Sequence, residues 1–91
     1  MLTLESNVKI ADDVIFQEVD GEAVLLNMRT EIYFGLDSLG ARIWGLVQSH
    51  GRIGTVVRML TEEYDIGEDR LGEEICEFIE KLRSKGLVEV Q

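Results

Sequence analysis

Short apolar runs broken by turn residues fill the first third of the chain, and apolar positions at helical spacing fill the rest. Val14-Ile15-Phe16-Gln17-Glu18-Val19 is β-branched and aromatic, which suits a strand. Asp20-Gly21 follows as a hairpin turn, and Ala23 to Met28 forms a second strand. Arg29-Thr30-Glu31 makes a tight connection to a third, very short strand, Ile32-Tyr33-Phe34. Asp37 or Ser38 can cap a first helix, because either side chain accepts from the free N–H groups of a first turn. Leu39, Ile43, Leu46 and Val47 recur along it, and Gly51 stops it just after His50. A second helix runs from about Ile53 to Tyr64, and Asp65-Ile66-Gly67 breaks it. A third runs from about Glu68 to Lys85, with Gly86 in the usual position past a helix end. Leu87 to Val90 is an apolar tail expected to pack back on the domain. Residues 1–13 are weakly patterned and read as either a mobile lead-in or an irregular leading strand. Strands first and helices second predict an α+β fold, with the helices covering one sheet face, in a winged-helix-like order.

The third helix is asymmetric. At roughly 100° per residue, Leu71, Ile75, Phe78 and Leu82 cluster within about 60° and form a core stripe. On one side lie Glu74, Lys81 and Lys85, a solvated flank. On the other lie Ile79, Gly72, Arg83 and Cys76, small and apolar with one basic residue at the end. Two readings of that second flank stand open. It packs on a neighbouring element of the same fold, or it is the wall of a groove. As a groove wall, Gly72 and Cys76 leave room for another chain, Ile79 offers apolar contact and Arg83 can meet a carboxylate.

The third strand bears on that choice. In a three-stranded meander one edge belongs to it, and its outer N–H and C=O groups lack a partner. Sheet edges are usually guarded by charge, proline or a bulge, and Ile32-Tyr33-Phe34 contains none of these. An unguarded apolar edge beside a permissive helix flank is what strand addition of a peptide requires. Alternation sends Tyr33 and Phe34 to opposite faces, so at least one belongs to the core. The same edge could instead pair with a second copy of the chain.

Ninety-one residues allow one small domain, 1–91. No apolar run approaches the roughly 20 residues of a membrane span, and no basic region followed by an apolar stretch opens the chain, so a cytoplasmic protein is expected. The single cysteine, Cys76, precludes an internal disulfide. The net charge of −9 works against nucleic acid as a partner. Along the third helix, Glu68, Asp69, Glu73, Glu74, Glu77 and Glu80 outnumber Arg70, Lys81, Arg83 and Lys85, which weighs against a winged-helix DNA-binding regulator, the competing class for this element order. No cofactor or metal is expected, since one histidine and one cysteine do not supply the three or four protein ligands zinc takes. Cys76 sits mid-helix among Glu73, Glu77 and Glu80, which disfavour the thiolate a nucleophile needs. The chain therefore reads as a non-enzyme.

The residues "VLLNMRTEIYFGLDSLGARIW", "GRIGTVVRMLTEEYDI" and "FIEKLRSKGLV" together closely resemble the PqqD-like proteins, the RiPP recognition elements that bind leader peptides of ribosomally made, modified peptides. The resemblance covers roughly residues 14 to 88. It rests on Leu25-Leu26, Gly35-Leu36, the Gly40-Ala41-Arg42-Ile43-Trp44 run and the Gly86-Leu87-Val88 ending, in this order and spacing. The aromatic-Gly-Leu-Asp and Ala-Arg-Ile-Trp variants look most like the stand-alone members of lasso-peptide pathways, where a separate cysteine leader peptidase is the partner enzyme. Members serving pyrroloquinoline-quinone synthesis usually carry a Pro-Glu-Gly type turn where this chain has Asn27 to Glu31. A peptide chaperone for a radical-SAM or other RiPP pathway is the alternative within the family. The resemblance implies a winged-helix-like fold and a leader peptide docked antiparallel to the third strand, between it and the third helix. Edge and flank together place the peptide on Glu31, Ile32, Tyr33, Phe34, Gly35, Gly72, Ile75, Cys76, Ile79 and Arg83.

Overall fold

A computed structural model describes residues 2–91. The order is β1 (Val8–Ile10), β2 (Val14–Val19), β3 (Glu22–Asn27), β4 (Ile32–Leu36), α1 (Ser38–His50), α2 (Ile53–Glu63), α3 (Glu68–Ser84) and β5 (Val88–Val90). The α+β expectation holds, with β2, β3 and β4 forming an antiparallel sheet in that order. β2 and β3 pair Val19 with Glu22 across Asp20-Gly21, both at positive φ (53° and 81°), which is a two-residue type I′ hairpin. β4 is the third predicted strand, extended through Gly35 to Leu36, which pairs with Ala23.

The leading segment and the tail meet. Val8 to Ile10 pairs antiparallel with Val88 to Val90, so a second, two-stranded sheet holds both ends of the chain. The leading strand is thus regular at its centre, and the tail packs back as β5.

The core comes chiefly from the helices. Ile43, Trp44, Leu46 and Val47 of α1, Ile53, Val56, Val57 and Leu60 of α2, and Leu71, Ile75, Ile79 and Leu82 of α3 are buried together with Leu25 and Leu87. Asp37 caps α1 through Oδ1, which accepts from Gly40 N at 2.7 Å. Past α3, Gly86 takes φ +72°, its N–H donates to the Arg83 carbonyl (3.0 Å), and Leu87 N donates to Leu82 O (2.9 Å). That is a Schellman ending, in which buried Leu87 meets buried Leu82.

One buried polar residue ties the two halves together. Asn27, 2% exposed, donates from Nδ2 to Gly86 O (3.0 Å). Its Oδ1 accepts from Arg29 N (2.9 Å) and Thr30 N (3.2 Å), and its carbonyl accepts from Glu31 N (2.8 Å). Asn27 therefore shapes the turn that launches β4 and pins it to the end of α3.

Candidate peptide groove

Among the described residues, β4 has β3 on one side and no strand on the other. Alternate residues of such an edge direct N–H and C=O groups outward, where they can pair with another chain. The register puts Ile32, Phe34 and Leu36 on the face that carries buried Leu25, and Tyr33 and Gly35 on the opposite face. Phe34 accordingly packs against the core, and Tyr33 is 68% exposed.

Beside this edge a groove of about 260 Å³ opens toward α3. Phe34, Gly35 and Leu36 of β4, Asp37, Leu39, Gly40 and Ile43 around the start of α1, and Leu71, Glu74, Ile75, Phe78 and Lys81 of α3 line it. At its centre the Phe34 and Phe78 rings stand 6.3 Å apart at 58°, a tilted aromatic pair. Gly40 sets the floor. A methyl there would lie 3.1 Å from Asp37 Oδ1 and 3.4 Å from both Phe78 Cζ and Leu36 Cδ2, so a larger residue would push the capping carboxylate and the ring into the groove.

The groove lies on the flank of α3 that helical spacing assigns to solvent, so several residues of the expected contact set lie outside it. Ile79 is fully buried (0% exposed) and belongs to the core, so it offers no contact to a partner. Gly72 is also buried, and Leu4 Cδ2 lies 3.6 Å from where its methyl would be. Cys76 shares its surroundings with Leu2, Leu4 and Gly72. The chain's own leading segment therefore lies along the small apolar flank and partly covers it, with a hollow of about 740 Å³ left open beside Gly72 and Cys76. That segment is held by Gly54 N donating to Leu4 O (2.7 Å) and Ile53 N to Ser6 O (3.1 Å). Arg83 is exposed and donates to Glu80 Oε1 at 3.3 Å, outside the groove lining. Phe34 and Gly35 do line the groove, and Ile75, fully buried like Ile79, backs its floor. Ile32 and Tyr33 stand on its edge strand, and Glu31, at φ +62°, ends the turn before it. The wheel missed Phe78, Glu74 and Lys81, because it could not show which flank the leading segment would occupy.

The Cys76 thiol is held above its ordinary pKa, first by burial and then by the Glu80 charge. Among the described residues no group of three or more His, Cys, Asp or Glu is placed to hold a metal, and no helix is long and apolar enough to cross a membrane.

Comparison with known proteins bears on this surface. Residues 22–88 match the family model described as coenzyme PQQ synthesis protein D (PqqD). No curated protein sequence matches the chain significantly. Among solved structures, TbiB1 in complex with the TbiA(beta) leader peptide is 36% identical, with a TM-score of 0.82 over 89% of this chain and 94% of that one. A lasso peptide synthetase B1 complexed with the leader peptide shares the fold at 20% identity, with a TM-score of 0.82 over 91% of this chain and 98% of that one. With the family model spanning most of the chain, from β3 through α3 into β5, this protein belongs to the PqqD family.

Proposed function

We propose that this protein binds the leader segment of a ribosomally made precursor peptide and presents it to maturation enzymes of a lasso-peptide pathway, a separate cysteine leader peptidase and a cyclase. The leader adds as an antiparallel strand to the open edge of β4 and lays alternate side chains into the groove against α3. The observation that carries this reading is the coincidence of an unpaired strand edge with an apolar groove centred on Phe34 and Phe78. Membership of the family and the leader-peptide complex of the 36%-identical TbiB1 support it. The protein acts as a binding module, without catalysis of its own. On this reading the peptide contacts Ile32 to Leu36, Phe78 and Lys81, over a floor of buried Gly40 and Ile75.

An aromatic or leucine side chain buried against the Phe34–Phe78 pair removes about 150–250 Å² from water, nominally about 4–6 kcal/mol. Ordering a flexible leader consumes part of that gain. The expected dissociation constant is ~1 μM or tighter, about −8 kcal/mol or better. Titration of fluorescently labelled TbiA(beta) leader peptide and of random duplex DNA, both at physiological salt, tests the class of partner. Saturable peptide binding without DNA binding is expected. DNA binding without peptide binding would return the fold to the regulator class.

A further inference from the structure

The groove carries three charged residues, Asp37, Glu74 and Lys81, and they are not equivalent. The Asp37 carboxylate is engaged with the first turn of α1 through Gly40 N at 2.7 Å. Glu74 has Arg70 Nε 3.6 Å from Oε1. Lys81, among the described residues, has no carboxylate within ion-pairing distance. It is thus the cation of the groove wall without an ion-pair partner among the described residues, on a chain of net charge −9, and it also borders a second hollow with Glu77 and Glu80.

Its position along the groove follows from the chain path. Gly86, just past α3, receives the Asn27 side chain, and Asn27 pairs with Ile32 at the start of β4. Lys81 therefore lies toward the start of β4, and Glu74, seven residues earlier and about 10 Å away along the helix, toward its end. A strand running antiparallel to β4 passes the Leu36 end first and the Lys81 end last. Main-chain pairing alone offers similar groups at every residue, so it sets neither register nor polarity.

From this geometry we infer that Lys81 is a specificity-determining residue: it selects a peptide with an acidic side chain two to four positions C-terminal to its apolar anchor, and so fixes the register of the bound strand. The inference rests on the peptide-binding reading above. An aspartate or glutamate there meets Lys81 when the anchor packs against the Phe34–Phe78 pair. A strand slipped by two residues carries that acid away from Lys81 and moves the anchor off the ring pair.

The test is a yeast-displayed library of random 12-residue peptides with one fixed central leucine, sorted against the intact parent and against Lys81→Glu. Lys81 is exposed, so the variant should fold, and fluorescence of the single tryptophan, Trp44, checks this. Parent-selected peptides should be enriched in Asp and Glu two to four positions after the leucine, and Lys81→Glu should exchange that preference for Lys and Arg. For one selected acidic peptide, Lys81→Ala should weaken binding about twofold to fivefold, the range of an exposed ion pair, and Lys81→Glu should weaken it further. Peptides that bind the groove with no charge preference after the leucine would overturn the role of Lys81 and leave the binding reading standing. Acids enriched before the leucine would overturn the antiparallel register. A library that yields no peptide binder would overturn the binding reading itself.

Discussion

Phe78 and Ile79 are neighbours in sequence with different surroundings. Phe78 lines the groove and touches Phe34. Ile79 is buried among core residues. Phe78→Ala should weaken leader binding about tenfold or more, because it removes one wall of the anchor site, and should cost less stability than truncation of a fully enclosed residue. Ile79→Ala should do the reverse, costing about 2–5 kcal/mol of stability as a cavity opens in the core. Urea titrations followed by Trp44 fluorescence, paired with calorimetry of the leader peptide at a urea-free end point, separate the two. Equal effects on binding and stability in both variants would contradict the assignment. Asn27 is the other decisive residue. Asn27→Ala removes the side-chain acceptor for Arg29 N and Thr30 N and leaves Gly86 O without its donor. It should cost about 1–3 kcal/mol, the range for a buried polar group left unpaired, and the same urea titrations read it.

Among the elements, the strand meander, the three helices and their ends could be read from local chemistry. Asp20-Gly21 specifies its own hairpin turn, Gly86 its own left-handed helix ending, and the spacing of Val56, Val57 and Leu60 its own buried stripe. The groove could not be read so directly. Leu2 to Ser6 carries little pattern, and its place across α2 and α3 is set by backbone bonds to Ile53 and Gly54, which leave no periodic signature. From spacing alone both flanks of α3 are open to a partner, and the smaller, less charged one suits a groove better. Glu74 and Lys81 read as a solvated flank and Phe78 as core, so spacing alone does not mark the wall of the proposed groove. Gly54 offers a direct check on the strap. A methyl there would sit 2.8 Å from Leu4 O, so Gly54→Ala must displace the segment or α2 itself. Displacement uncovers Cys76, relieves the burial that raises its thiol pKa, and should speed its alkylation several-fold near neutral pH. An unchanged alkylation rate in the folded variant would contradict the covering role of Leu2 to Leu4. A second link between elements, the Arg42–Glu63 pair, joins α1 to the end of α2 by bonds of 3.0 and 2.6 Å. Arg42 lowers the Glu63 pKa, chiefly through the hydrogen bond, so the pair's contribution is present above the ordinary carboxylate range and is lost as pH falls through the lowered value. The stability gap between parent and Glu63→Gln should therefore close on acidification, which pH-dependent thermal melts will show. A gap independent of pH would assign the effect to something other than charge.

For the whole molecule, the helices and the second sheet fasten both chain ends, and among the described residues the outer edge of β4, like that of β2, has no partner strand; the β4 edge is the one beside the groove. The two-stranded sheet of β1 and β5 closes over the ends of the chain, and the sheet of β2, β3 and β4 ends at β4 beside the groove. A leader that adds there makes a four-stranded sheet without disturbing the core. A second copy pairing through the same edge would compete with it. Backbone hydrogen exchange with and without a saturating leader peptide tests this account most directly. The account predicts that outward-directed amides of β4, within residues 32–36, exchange more slowly in the complex, at protein concentrations where light scattering reports a monomer, and that the bound peptide's own amides are protected at alternate positions. Binding that leaves the β4 amides unchanged, or protection confined to α2 or to the outer flank of α3, would contradict strand addition at this edge.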